Sequence, residues 1–196
     1  MRPVSMQGAI FLKGKMMMAN KTVRRIVRMG LMTAVSVILV YFICFPIFPA
    51  VSFLEYDPAD IPILFSTLSF GALDGLLLTL TVSVIQGLTV SAKSGIIGIL
   101  MHFLATGSFV LVTGLTYKLK KTTIGAILSL VAGVAAMTIT MALWNLIFTP
   151  IFMGAPRAAV IKLLPLIIAF NLIKAGANAV VSFIVFKAIK RRSAAI

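Results

Sequence analysis

Acidic side chains are nearly missing from this chain: Asp and Glu together number 4, against 18 Lys and Arg. Cysteine, histidine and tryptophan occur once each. A single Cys and a single His cannot build a metal cluster. Cys44 has no partner for an intrachain disulfide and reads as a small buried hydrophobe in the first apolar run. No Walker or Rossmann glycine pattern follows a strand, so the chain carries no ATPase of its own. No catalytic pair is present, which argues against an enzyme, including one acting on lipid. A proton pump is disfavoured, because the ionisable groups inside apolar runs are Lys174 and His102, with no Asp or Glu relay. Internal repeats and low-complexity tracts are absent as well.

What the chain has is oil. Of its 196 residues 61% are hydrophobic and 11% charged, with a mean hydropathy of +1.14. No water-soluble domain of this size hides that much apolar material. The class is an all-α polytopic membrane protein with one domain, 23–192, behind a basic tail, 1–22, expected to be flexible and cytoplasmic. Translation could also begin nearer Met16 to Met18. The net charge of +14 does not point to nucleic acid, because the basic residues flank apolar runs and form no stripe on a polar face.

Six apolar segments can be marked: 26–48, 58–73, 76–90, 96–117, 124–148 and 163–186. Four reach the ~20 residues needed to cross ~30 Å of hydrocarbon. The second and third are short and turn near Gly71 to Gly75. With six transmembrane helices and both termini cytoplasmic, the inner flanks hold Lys21, Arg24, Arg25, Arg28, Lys118, Lys120, Lys121, Lys187, Lys190, Arg191 and Arg192. The outer flanks hold Lys93, Arg157 and Lys162, so the basic bias favours this orientation. Asp57-Pro58-Ala59-Asp60 reads as a helix start, with Asp57 as N-cap and Pro58 at the first helical position. The same outer loop is apolar enough from Phe48 to Leu54 to lid a site.

Lys174 is the only formal charge between Leu163 and Phe186. Asn171 precedes it by three residues and Asn178 follows by four, so all three share a helix face. An ammonium at that depth costs at least ~2.5–3.5 kcal/mol. Snorkelling is the structural alternative for Lys174 and would need local bilayer thinning. Gln86, His102 and Asn145 fall in the outer half of helices three, four and five. Each could instead be interhelical glue, and Trp144 beside Asn145 suits a membrane belt. Convergence of these groups on one outward-facing cavity accounts for all of them at once, because polar groups in lipid must find partners. Asn amides with an ammonium, among Phe, Leu, Ile and Trp, suit a small, partly aromatic solute with an imide edge.

Phe53-Leu54-Glu55-Tyr56-Asp57-Pro58-Ala59-Asp60-Ile61-Pro62, followed by Phe70-Gly71 and Asp74-Gly75, resembles the first loop and second helix of the riboflavin-specific S component of energy-coupling factor (ECF) transporters. The likeness continues through Ser94 to Gly98 with His102, Met141 to Asn145 with Pro150, and Pro165 with Phe170 to Lys174. It runs from about residue 23 to 190. The resemblance implies a six-helix subunit of a prokaryotic plasma membrane that captures riboflavin from outside. It implies substrate contacts from Asn145, Asn171 and Lys174, with Leu54, Tyr56, Gln86 and His102 nearby, and no cofactor of its own. The implied partners are a transmembrane coupling protein and two cytoplasmic ATPases. The family's alanine-x-x-x-alanine docking pattern on helix one has its nearest match in Gly30 to Ala34. Rival readings are an S component for another vitamin or for FMN, a stand-alone channel or secondary transporter, and a purely structural subunit.

Overall fold

The computed structural model describes residues 6–154 and 156–193. They form six α-helices: α1 (Met6–Phe42), α2 (Asp60–Phe70), α3 (Ala72–Leu88), α4 (Gly95–Leu119), α5 (Thr123–Met153) and α6 (Arg157–Ser193). Four stretches are long and apolar enough to cross a membrane, Lys21–Phe42, Ala92–Leu119, Thr123–Met153 and Arg157–Arg192. Asp60–Phe70 and Ala72–Leu88 are apolar but shorter. The expected basic tail starts outside the described residues, and from Met6 its backbone is helical and continuous with the first span. Residues 6–22 contain no proline and several Met, Lys and Ala, which favour helix.

Helix α1 stops at Phe42, earlier than the apolar run suggests, because Pro46 and Pro49 cannot continue it. The connection to α2 is a strap over one end of the bundle. Phe45–Pro46 (β1) pairs antiparallel with Glu55–Tyr56 (β2), and a 3-10 turn at Pro49–Val51 lies between them. Val51 is wholly buried with Val160 and Ile167 of α6, and Phe53 and Leu54 pack on the same cluster. Ser36 Oγ donates to Ala59 O at 3.0 Å, which ties the far end of the strap to α1. The strap spans the gap between Phe42 and Asp60, and α2 runs only from Asp60 to Phe70.

Helices α2 and α3 are separated by Gly71, at φ 107°, a value that side-chain-bearing residues rarely adopt. Helix α4 sits centrally, packed on α2, α3 and α5. Phe109 and Val110 of α4 are fully buried with Ile63, Leu64, Leu78 and Met137. Gly133 of α5 allows the close approach: a Cβ there would overlap Thr113 Oγ1 and the Phe109 ring. Helix α5 runs past Phe148 and Pro150 and ends where Gly154, at φ 60°, donates its N–H to Pro150 O. Helix α6 carries Pro165 within it. Proline persists in such helices because neighbours re-satisfy the freed carbonyl groups.

Leu128, Val131 and Ile139 of α5 and Val180 and Ile184 of α6 point outward, as a lipid-facing surface requires. Gly30 and Ala34 are exposed on α1 beside Leu31, Val35 and Ile38. At the end of the bundle away from the strap, Arg25 pairs with Asp74, and the Arg28 guanidinium lies 4.0 Å from the Phe70 ring centre.

Candidate functional site

Lys174, on α6, is 7% exposed, and its ammonium donates to Asp57 Oδ2 at 2.7 Å. Asp57 lies in the strap just before α2 and is itself buried. Its other oxygen accepts the Ala59 N–H at 3.1 Å. Asn178, one turn further along α6, reinforces the same junction. Its Nδ2 donates to Asp57 O and to Asp60 Oδ2, each at 3.1 Å, and its Oδ1 accepts the Tyr56 hydroxyl at 3.1 Å. Asp60 Oδ1 accepts from Thr106 Oγ1 of α4 at 2.7 Å. Residues 56–60 are thus stitched to α6 and α4 by a polar network in which every named bond has a defined donor and acceptor. Such a network holds a unique geometry as long as it is fully satisfied.

The helix start expected at Asp57 keeps its capping bond and shifts in register. Helix α2 begins at Asp60, and Ala59 at its N-cap makes no side-chain cap bond. Asp57 serves both: Oδ1 accepts the Ala59 N–H two residues on, as a capping Asp does, and Oδ2 takes the Lys174 ammonium. The same contact brings a carboxylate from the loop to a lysine whose own apolar run holds no acid. The signal for it was in the sequence: in an acid-poor chain, Glu55, Asp57 and Asp60 cluster in one loop.

A cavity of ≈ 140 Å³ opens beside this junction. Among its walls are Leu54, Gln86, His102, Asn171 and Lys174, four of them polar residues drawn from α3, α4 and α6. Asn171 spends one donor on Ile167 O, at 2.7 Å, and keeps its remaining capacity for the cavity. Gln86 Oε1 and His102 Nε2 are buried with no hydrogen-bond partner among the described residues. Ser83 Oγ lies 2.7 Å from both Thr79 O and His102 Nδ1, so its hydroxyl is placed to donate to either, and the ring's tautomer sets the direction of the second contact. In the neutral imidazole one nitrogen donates and the other accepts, so Nε2 offers the cavity either a donor or an acceptor. Glu55 also lines the cavity, and its carboxylate accepts the Cys44 thiol at 3.3 Å.

Asn145 is fully buried but lines a second cavity of ≈ 90 Å³, between α4, α5 and the strap. Its amide donates to Met141 O at 2.8 Å and its carbonyl accepts from Thr149 Oγ1 at 2.6 Å. The two cavities share Phe53, Leu54, Ser94, Gly98, Met101 and Met141 as walls. Tyr56 lines neither; it tethers the strap to Asn178 and packs on Phe45, with ring centres 5.4 Å apart. Sequence reading overlooked Ser83, which orients His102, since a serine in an apolar helix usually bonds its own backbone.

A family model for the substrate-specific component of ECF transporters matches residues 24–186. The chain belongs to that family. A solved structure of the S component of a bacterial ECF transporter is similar in fold, with a TM-score of 0.76 at 24% identity, over 87% of this chain and 97% of that one. No curated protein matches the sequence. As an S component the chain is a multi-pass membrane subunit that binds a substrate for transport. In this S component the strap between α1 and α2 walls both cavities, and Lys174 and Asn178 hold its last residues in place.

Proposed function

We propose that this S component binds riboflavin from the outer side of a prokaryotic cell membrane and hands it on through a transmembrane coupling protein driven by two ATPases. The observation that carries the reading is the gathering of Gln86, His102, Asn171 and Lys174 around one buried cavity, with Gln86 Oε1 and His102 Nε2 unpartnered. An unpartnered amide oxygen and an unpartnered ring nitrogen call for a ligand that brings both donors and acceptors, and a flavin imide with its carbonyls and ribityl hydroxyls offers them. Phe53, Phe170, Met101 and Met141 supply the apolar faces for a fused ring.

Sites for ligands of this size occupy ~300–1,000 Å³, more than the ≈ 140 and ≈ 90 Å³ found here. An outward shift of Phe53 and Leu54 in the strap would join the two cavities and bring Asn145 into contact with the same ligand. Six spans with both termini in the cytoplasm are part of this reading, as is docking of the coupling protein on the exposed Gly30–Ala34 face of α1. FMN fits less well than riboflavin. Glu55 and Asp57 line the cavity, and the nearby ammonium of Lys174 already holds a carboxylate, so a phosphate dianion would meet negative charge.

The test is a fluorescence titration of the detergent-purified chain with riboflavin, with FMN as competitor and no ATP. Tight quenching by riboflavin that FMN does not displace supports the proposal. No change in flavin fluorescence would remove riboflavin as the solute, and flux through the chain alone in liposomes would favour a stand-alone transporter.

A further inference from the structure

A groove of ≈ 840 Å³ opens at the end of the bundle opposite Lys174. It lies where the α2–α3 turn meets the last turns of α4 and α6, and Lys118, Lys121 and Lys190 line it. Its floor is apolar, with Phe65, Tyr117 and Phe186 among its walls, and no carboxylate takes part. The acids of this chain are engaged elsewhere. Asp57 holds Lys174, Asp60 accepts from Thr106 and Asn178, Glu55 accepts from Cys44, and Asp74 pairs with Arg25. Among the described residues none of the three groove lysines has a carboxylate partner. Lys190 rests its ammonium 5.6 Å from the Phe186 ring centre.

We propose that this groove seats the headgroup of an anionic phospholipid, with the phosphate among Lys118, Lys121 and Lys190 and an acyl chain along the exposed Leu73 and Leu115. Three features select a lipid. The groove sits at the ends of membrane-crossing helices, where a headgroup lies. It pairs an apolar floor with a basic rim, the two halves of an amphiphile. Among the described residues no carboxylate supplies the counter-charge it needs. Basic pockets between transmembrane helices recognise acidic headgroups in this way.

The experiment is native mass spectrometry of the full chain in mild detergent, with added phosphatidylglycerol or phosphatidylcholine. The wild type should retain phosphatidylglycerol in preference. Lys118→Gln, Lys121→Gln and Lys190→Gln should each weaken retention about fivefold, and the triple variant roughly a hundredfold. A charge-matched control, Lys21→Gln/Arg24→Gln/Lys93→Gln, should keep it. Leu115→Trp leaves every charge in place and obstructs the groove, so it should release the lipid, with far-ultraviolet circular dichroism verifying that each variant is folded. Equal retention of the two lipids, equal loss in the control, or full retention by Leu115→Trp would overturn the proposal. Displacement by millimolar inorganic phosphate would assign the lysines to a free anion, and overturn it too. Loss of the coupling protein from the triple variant with lipid binding intact would make the groove a protein seat, and so also refute it.

Discussion

Lys174 Nζ and Asp57 Oδ2 lie 2.7 Å apart, although the two residues are 117 positions apart in the chain. The ion pair joins the middle of α6 to the end of the strap. A buried pair of this kind adds little net stability over an apolar pair, yet breaking it from one side strands a charge. It therefore fixes where the strap sits as well as neutralising the ammonium.

That asymmetry gives the first prediction. Lys174→Met should destabilise the S component by about 3–5 kcal/mol, because Asp57 is left buried and unpaired. The double variant Lys174→Met/Asp57→Asn should recover most of that loss while flavin binding stays weak. Thermal unfolding in detergent, run beside a flavin titration, separates the two effects. Equal melting temperatures for wild type and Lys174→Met would show that the pair does not hold the strap.

Gln86→Leu and His102→Phe should behave in the opposite sense. Each removes a buried polar atom that has no hydrogen-bond partner among the described residues, so Gln86→Leu should keep or gain thermal stability, while in His102→Phe the loss of the 2.7 Å contact with Ser83 offsets the gain and stability should hold. Flavin affinity should fall by ~1–3 kcal/mol for each, the usual cost of losing a buried hydrogen bond. Asn171→Leu should lose affinity by a similar amount. Unchanged binding in all three variants would place the ligand elsewhere.

Gly133→Leu tests the contact between α4 and α5. A side chain there runs into Thr113 and the Phe109 ring, both buried. Overpacking of this kind costs ~1–3 kcal/mol, and the variant should melt earlier than wild type. A melting temperature equal to wild type would mean that the helices can separate without penalty.

Cys44 offers a pH test outside the membrane spans. Burial, and then the hydrogen bond to Glu55, push its thiol from the ordinary 9.0 up to about 12. The thiolate fraction at pH 8 should be about a thousandfold below that of a free cysteine, and maleimide labelling correspondingly slow. Glu55→Gln should speed it. Because the folded chain holds this proton more tightly than the unfolded chain, the contribution to stability is present below pH 9 and fades as pH rises toward 12. Labelling at the rate of a free thiol would contradict the burial of Cys44 against Glu55.

Much of the candidate site was legible before the structure. Lys174, Asn171, Gln86 and His102 stand out because polar groups are costly in an apolar run, and all four reach one cavity. Tyr56 and Asn145 were harder to place. Tyr56 serves the strap tether, and Asn145 bonds within its own helix and faces the neighbouring cavity. Neither outcome has a signature in spacing, because a side chain's partner depends on which neighbouring element arrives beside it. Asp57 shows both levels: its bond to the Ala59 N–H is a local capping event with a local signal, and its bond to Lys174 has none.

The sequence by itself determined the class, the helices and the family. These rest on the length and apolarity of runs, on proline and glycine as breaks, and on motif order, all of which are written along the chain. Only the tertiary structure decided which acid meets Lys174, how the strap closes over the bundle, and that the basic residues at the far end line a groove. Those are contacts between distant segments, set by packing of α4 against its neighbours and by the need of each buried charge for a partner, and no local pattern encodes them.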